Sequence, residues 1–489
     1  MNIPDSMNTS KLSVKYCVLL PIVLAVTIFL WVVPGGFYGI EGLTVTMQRT
    51  IAIFAFAALM WIFEIVPNWV TSLMVIVGAL LTVSDKSLKF AMSTADDSVF
   101  MSYKELMRAF ADPVVMLFMG GFVLAIVAAK YGMDVKLARM LLKPFGHKPK
   151  YVLLGFLVII AVFSMFMSNT ATAAMFLTFL APVLAILPDD EKGKVGLALA
   201  IPIAANVGGI GTPIGTPPNA TAVGILENNG MAITFGEWAV MMIPFVIIII
   251  LVAWFVLRVF FPFKTKEIKI DIPERKTSRT WRDAVAWITF GVTIVLWMTE
   301  QLHGLSSNIV ALLPIVVYSA TGVFTARDIS DINWSVLWLV AGGFALGYAL
   351  NDTGLARALV GSIDFGSMSI VVVFAVSGFI CYFLSNFISN SATAALIIPI
   401  MVAMGRGIMQ STNAGVFAAM GGQQGLAVFV ALSASLAMLL PISTPPNALA
   451  SSTGLVKTKD MAKMGIIIGA IGLVFGYFWV TRIFQFPQG

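Results

Sequence analysis

Apolar runs recur from one end of this chain to the other, parted by short polar stretches. Runs such as 17–33 and 235–261 can cross the roughly 30 Å hydrocarbon core of a bilayer as helices. The pattern predicts spans near 16–33, 49–66, 69–83, 113–130, 195–226, 236–262, 284–300, 306–323, 334–350, 424–455 and 463–482. Two further apolar stretches, 151–187 and 369–404, are interrupted by small polar residues and are expected to be re-entrant helical hairpins. The mixed stretch 84–112 is expected to lie on the outer surface as short amphipathic helices. The first apolar run is long, lacks a small-residue cleavage pattern and precedes many others, so it is expected to stay as a span. The expected fold class is an all-α polytopic membrane protein.

Charge orients these segments. Hydrophobic residues make up 59% of the 489 and charged residues only 11%, whereas soluble domains carry about 25% charged residues. The basic residues cluster. Lys130, Lys136, Arg139, Lys143, Lys148 and Lys150 stand against Asp134 alone. Lys264, Lys266, Lys269, Arg275, Lys276, Arg279 and Arg282 stand against Glu267, Asp271 and Glu274, and Lys457, Lys459 and Lys463 form a third group. All three groups belong on the cytoplasmic side of a bacterial inner membrane. With both interrupted stretches returning to the side they left, eleven crossings result, with the N-terminus cytoplasmic and the C-terminus outside. Arg357 and Arg406 are the exceptions. A net charge of +6 does not imply nucleic acid, because no soluble domain is present to bind it. Cys17 and Cys381 are expected to be buried free thiols. Neither His147 nor His303 has metal-ligand spacing around it. The breaks carry no Ser/His, Ser/Lys or paired-Asp dyad, which excludes an intramembrane hydrolase and, with the composition, most other enzymes.

An internal repeat sets the architecture. SMFMSNTATAAM from Ser164 and SNFISNSATAAL from Ser385 agree at eight of twelve positions. Gly120-Gly121-Phe122 matches Gly342-Gly343-Phe344, and Thr216-Pro217-Pro218-Asn219 matches Thr444-Pro445-Pro446-Asn447. The offsets are 222, 221 and 228 residues, so three matches fall in order and nearly in register. The organisation is therefore an N-terminal segment with the first span (1–48), a first unit (49–262, hairpin 151–187), a cytoplasmic linker (263–283) and a second unit (284–489, hairpin 369–404). Five crossings separate equivalent spans, so the second unit enters the membrane from the opposite side. Such an inverted repeat suits alternating access in a secondary transporter.

The chemistry is expected at the breaks. Backbone that leaves the helix at membrane depth must be buried in protein or line a wet cavity. Each Ser-Asn-Thr/Ser break brings carbonyl ends that suit a cation and amide ends that suit a carboxylate. A lone polar break would be read as packing glue between helices; two symmetric copies argue for a site. Each Pro-Pro pair is tolerated only in the first turn of a new helix, which Thr216 or Thr444 can cap. No Lys, Arg, Asp, Glu or His falls in 151–187, 201–226 or 369–404. An anion bound there needs co-bound cations. Glu64, beside Pro67 and Asn68, is expected to be structural.

The paired tips, the paired Thr-Pro-Pro-Asn segments and the repeat length resemble the divalent anion/sodium symporter family, the INDY-type dicarboxylate and citrate carriers. The resemblance covers nearly all of the chain after about residue 40. It implies one sodium site at Ser164, Ser168, Asn169 and Gly215, and a second at Ser385, Ser389, Asn390 and Ser443. It implies substrate carboxylates held by Asn169, Thr170, Asn390 and Ser391, with Thr216, Thr444 and Pro445 nearby. It further implies Na+-coupled symport of a C4-dicarboxylate such as succinate, malate or fumarate by a homodimer working as an elevator. A sodium-independent dicarboxylate exchanger or a sulfate or citrate carrier is the alternative on the same fold. Ser391 and Ser385 stand where the family pattern has threonine, which bears on selectivity.

Overall fold

A computed structural model of the chain describes residues 15–94, 99–188, 190–268, 280–362, 367–484 and 486. Asp189 and the linker charges from Lys269 to Arg279 lie outside the described residues. Regular structure among the described residues is helical, apart from one bridge between Ser84 and Met101. Among the helices of the first half are α1 (Leu20–Val32), α2 (Val45–Phe63), α3 (Asn68–Thr82), α4 (Pro113–Lys130), α5 (Pro149–Ser164), α6 (Asn169–Ile186), α7 (Lys192–Gly209), α8 (Pro217–Glu227) and α9 (Phe235–Phe260). After the linker come α10 (Trp281–Met298), α11 (Leu312–Ala320), α12 (Trp334–Asp352), α13 (Ile370–Ser385), α14 (Asn390–Met409), α15 (Gly422–Ser435), α16 (Pro445–Ser452) and α17 (Thr458–Phe478). Six helical stretches are long and apolar enough to cross a membrane, and six shorter apolar helices accompany them among the described residues.

Each half has a helical hairpin followed by a helix broken near its middle. α5 and α6 pack on α7, and α14 and α13 pack on α15 in the same manner. The halves also interlock. The second limb of the first hairpin, α6, lies against α16 of the second half, and α14 lies against α8 of the first. α12 runs along α3 and touches α14 and α8. A single large apolar core runs through both halves.

Three details differ from the sequence expectation. Cys17 is exposed, because the first helical segment packs mainly on α2 and leaves its other faces outward; Cys381 is buried. The run 306–323 is not one helix but Ser307–Val310 followed by α11, broken at Ala311. Pro314 cannot donate to Val310, and Gly120 of α4 approaches Ala311 so closely that a Cβ there would collide with its carbonyl. The stretch 84–112 does form short helices, Lys89–Ser93 and Tyr103–Arg108, but the first is tethered inward. Buried Arg49 of α2 donates to Ala91 O at 2.7 Å, Thr82 O at 2.9 Å and Thr94 Oγ1 at 2.7 Å. Glu64 ends α2 in the left-handed conformation and is exposed.

The start of the linker is tied to the end of the first hairpin. Glu191 accepts from the backbone N–H of Lys264 at 2.9 Å and of Thr265 at 3.0 Å, and from Thr265 Oγ1 at 2.8 Å. Burial pushes the Glu191 carboxyl up, but the bonds donated by Lys264, Thr265 and Gly193 outweigh it and hold it below the ordinary glutamate value. Its contribution is therefore complete above the ordinary glutamate range and is lost as pH falls through the lowered value. Asp190 beside it pairs with Lys264 at 2.5 Å on the surface and adds little. Glu191→Gln weakens charge-assisted bonds worth about 1–3 kcal/mol. Trypsin in neutral detergent solution should then cut after Lys264 and Lys266 roughly tenfold faster than in the wild type, since 1.4 kcal/mol of local opening is a factor of ten. Equal cleavage rates would show that Glu191 does not hold the linker.

Candidate functional site

The two hairpin tips are built alike. α5 ends at Ser164, residues 165–167 turn, and Ser168 caps α6 by accepting from Ala171 N at 3.2 Å. α13 ends at Ser385, residues 386–388 turn, and Ser389 caps α14 by accepting from Ala392 N at 3.1 Å. The breaks thus lie just before the Ser-Asn-Thr/Ser tripeptides. Ser168 and Ser389 are caps, while Asn169-Thr170 and Asn390-Ser391 open the new helices. Hydroxyl caps leave other first-turn amides free to meet an anion.

The Thr-Pro-Pro-Asn segments hold the broken helices open. α7 stops at Gly209 and α8 begins at Pro217, after extended Thr216. Asn219 Nδ2 donates back to the freed carbonyls of Gly209 at 2.9 Å, Ile210 at 3.2 Å and Thr212 at 2.8 Å. Asn447 Nδ2 does the same for Met438 and Leu440, both at 2.9 Å. Each segment is therefore a latch, with proline starting the helix and asparagine satisfying the carbonyls that the break exposes. Thr444 caps α16 by accepting from Asn447 N at 3.3 Å, whereas Thr216 occupies the cap position without a capping side-chain bond. The expected cap is thus present in the second half alone.

Both tips and both latches converge on one cavity of about 340 Å³. Ser168, Asn169, Thr170, Gly215 and Thr216 line it from the first half, and Ser389, Asn390, Ser391, Ser443, Thr444 and Pro445 from the second. Ser164 and Ser385 sit behind the tips, fully buried. Among the described residues, no acidic, basic or histidine side chain lines the cavity. The wall also includes Phe122 of the repeated Gly-Gly-Phe, together with Asn68, Asn206, Asn333, Ser335 and the rings of Trp69 and Phe118, none of which the repeat had singled out. Asn68 donates to Ser389 Oγ at 3.1 Å, joining α3 to the second tip. Its neighbourhood had drawn notice only for Glu64. Asn206 could have been suspected as a lone amide in an apolar run before Gly208-Gly209.

Oxygens gather behind the first tip, and the second holds buried oxygens without hydrogen-bond partners. One terminal atom of the Asn169 amide lies 2.7 Å from Ser164 Oγ, 3.1 Å from Gly215 O and 3.2 Å from Ala205 O. With nitrogen there, the amide donates to three oxygens. With oxygen there, four oxygens face one another, an arrangement that a small hard cation stabilises. Ser168 Oγ is occupied with its cap. In the second half, Asn390 Oδ1 is buried without a partner, and Ser385 Oγ touches the Cys381 thiol but makes no hydrogen bond to nitrogen or oxygen. Ser443 Oγ donates to Asn386 O at 2.8 Å and accepts from Leu440 N at 3.0 Å. Orphaned buried oxygens are costly and point to a ligand. The second set, with its orphaned oxygens, fits sodium, and the first fits it when the Asn169 amide turns its oxygen toward the cluster.

A profile of the citrate transporter family matches residues 58–422. The chain belongs to that family. As a member of the citrate transporter family it is a multi-pass membrane transporter and not an enzyme, in agreement with the repeat and the uncharged cavity. It is 31% identical over 455 residues to an uncharacterized transporter of Haemophilus influenzae, with 88% of this chain and 91% of the relative covered. It is 28% identical over 465 residues to the sodium-dependent dicarboxylate transporter SdcS of Staphylococcus saprophyticus, covering 87% of this chain and 83% of that one. Two solved structures share the fold. The Alcanivorax borkumensis YdaH transporter aligns with a TM-score of 0.53 at 13% identity, over 78% of this chain and 88% of the other. Neisseria gonorrhoeae MtrF aligns with a TM-score of 0.51 at 14% identity, over 96% and 98%.

Proposed function

We propose that this transporter carries a C4-dicarboxylate across the bacterial inner membrane together with sodium ions. The observation that carries the reading is the meeting of two helix N-termini, those of α6 and α14, in one cavity that no charged side chain lines among the described residues. Two such ends suit a molecule with a carboxylate at each end. Its negative charge is balanced by sodium held by Ser164, Asn169 and Gly215 at the first tip, with Ser168 alongside, and by Ser385, Asn390 and Ser443 at the second, with Ser389 alongside. Asn169, Thr170, Asn390 and Ser391 then meet the carboxylates, with Thr216, Thr444 and Pro445 completing the wall. The similarity to a sodium-dependent dicarboxylate transporter supports the same coupling. A sodium-independent exchanger would need a basic side chain in the cavity to stand in for the cations.

The cavity wall includes Asn68-Trp69 at the start of α3 and Asn333–Leu339 at the start of α12. By the loop charges both starts are cytoplasmic, so the conformation is inward-facing. Alternating access follows if the hairpins and broken helices, in a homodimer, move together against α3 and α12.

Labelled succinate taken up into proteoliposomes, with unlabelled competitors at fixed sodium, tests the substrate class. A monocarboxylate leaves polar groups at one tip unpaired, at a cost of roughly 1–3 kcal/mol. Butyrate should compete at least about tenfold less well than succinate, since 1.4 kcal/mol is a factor of ten. Equal competition by butyrate, or stronger competition by sulfate, would contradict the two-ended site.

A further inference from the structure

The two halves are not equivalent at Thr216 and Thr444, and the difference comes from one residue. Asn206, in the last turns of α7, is 1% exposed and lies on the cavity wall. Its Nδ2 crosses to the other half, donating to Thr444 Oγ1 at 3.1 Å and Asn447 Oδ1 at 3.3 Å. At the same offset as the Thr-Pro-Pro-Asn match, its counterpart is Ala434, which has nothing to donate.

The orientation of this amide follows from its neighbours. Asn447 Nδ2 is committed to Met438 O and Leu440 O, so Asn447 presents its oxygen to Asn206. Asn206 must answer with nitrogen, and the same nitrogen reaches Thr444. Thr444 Oγ1 now accepts from two donors, Asn206 Nδ2 and Asn447 N. A hydroxyl has two acceptor positions and one proton. With both positions filled, the proton is all that Thr444 can offer, and no protein acceptor for it occurs among the described residues. Asn206 keeps this bond while its own Oδ1 stays buried without a partner, a cost that packing alone does not explain. No hydrogen bond orients the Thr216 hydroxyl in this way.

We infer that Asn206 is a positioning residue that locks Thr444 as a hydrogen-bond donor toward the substrate, making the second-half end of the cavity the tighter carboxylate subsite. The inference rests on the cavity binding a dicarboxylate. Asn206 does not touch the carboxylate; it acts through the threonine.

The test is succinate uptake by wild type, Asn206→Ala, Thr444→Val and the double variant in proteoliposomes. Asn206→Ala should raise the KM for succinate about three- to tenfold, the worth of one ordinary hydrogen bond. Maximal rate and half-saturating sodium should stay within about twofold, which a general structural defect would not allow. The double variant should be no worse than Thr444→Val, because the two residues act as one unit. An unchanged KM, or losses that multiply in the double variant, overturns the inference. Should Asn206→Ala fail to fold, Asn206→Asp keeps the volume and replaces the donor with an acceptor; it should raise KM further, and an unchanged KM again overturns the inference. If wild type shows no succinate uptake at all, the reading of the cavity fails first and takes this one with it.

Discussion

Gly215→Ser places in the first half the residue that stands at the equivalent position of the second, and it should reduce transport about 100-fold or more. A Cβ on Gly215 would fall on the carbonyl oxygen of Gly209, which is backbone and cannot step aside cheaply. Forcing atoms into packed space costs typically 1–3 kcal/mol, and here it also displaces the Gly215 carbonyl from the Asn169 cluster. Half-saturating sodium should rise along with the loss of rate. Ser443→Gly makes the reverse exchange where there is room. It forces no atom into occupied space and keeps the backbone carbonyl at 443; it gives up the hydroxyl's bonds to Asn386 O and Leu440 N and its place beside the second sodium, so its effect should stay within about tenfold. Uptake rates at graded sodium check both variants. A Gly215→Ser protein with wild-type sodium dependence would remove the first oxygen cluster from the mechanism.

Asn169→Asp and Asn390→Asp carry the second large effect. Each replaces a neutral amide with a carboxylate at the tip of a hairpin, beside buried oxygens. At the first tip the amide loses its option of donating to Ser164, Ala205 and Gly215. Hydrogen bonds involving charge are worth about 1.5–3 kcal/mol, so loss at one tip predicts a 10- to 100-fold fall in uptake. A fixed negative charge favours the cation and repels the dicarboxylate. Half-saturating sodium should therefore fall while the KM for substrate rises. Unchanged values of both in both variants would rule out the tips as the sodium and substrate sites.

Much of this was legible in the sequence because breaks at membrane depth are rare and the chain makes each kind twice. Eight identities across the tips and the paired Thr-Pro-Pro-Asn segments named eleven of the residues that meet in the cavity. Hydrophobic patterning located the helices within a few residues. The places where it failed have physical causes. The 306–323 run breaks because Pro314 lacks an amide proton and Ala311 must admit Gly120, a contact between segments far apart in sequence. The exposure of Cys17 depends on which face of its helix meets α2, which periodicity does not reveal in an almost wholly apolar segment. Asn68 and Asn206 escaped notice for a different reason. A repeat points only to residues that occur twice, and these two make bonds between elements that have no counterpart on the other side. The roles of Asn219 and Asn447 also needed the fold, since a Pro-Pro pair announces the new helix but not which carbonyls its asparagine will hold.

Coupling of a dicarboxylate to sodium is the centre of this account, and purified protein in liposomes tests it directly. Labelled succinate uptake would be followed with an inward sodium gradient, and with potassium or choline replacing sodium at equal ionic strength. Accumulation of succinate above its external concentration, dependent on the sodium gradient and abolished by a sodium ionophore, is the expected result. Uptake that proceeds equally well without sodium, or that requires succinate preloaded inside, would contradict it.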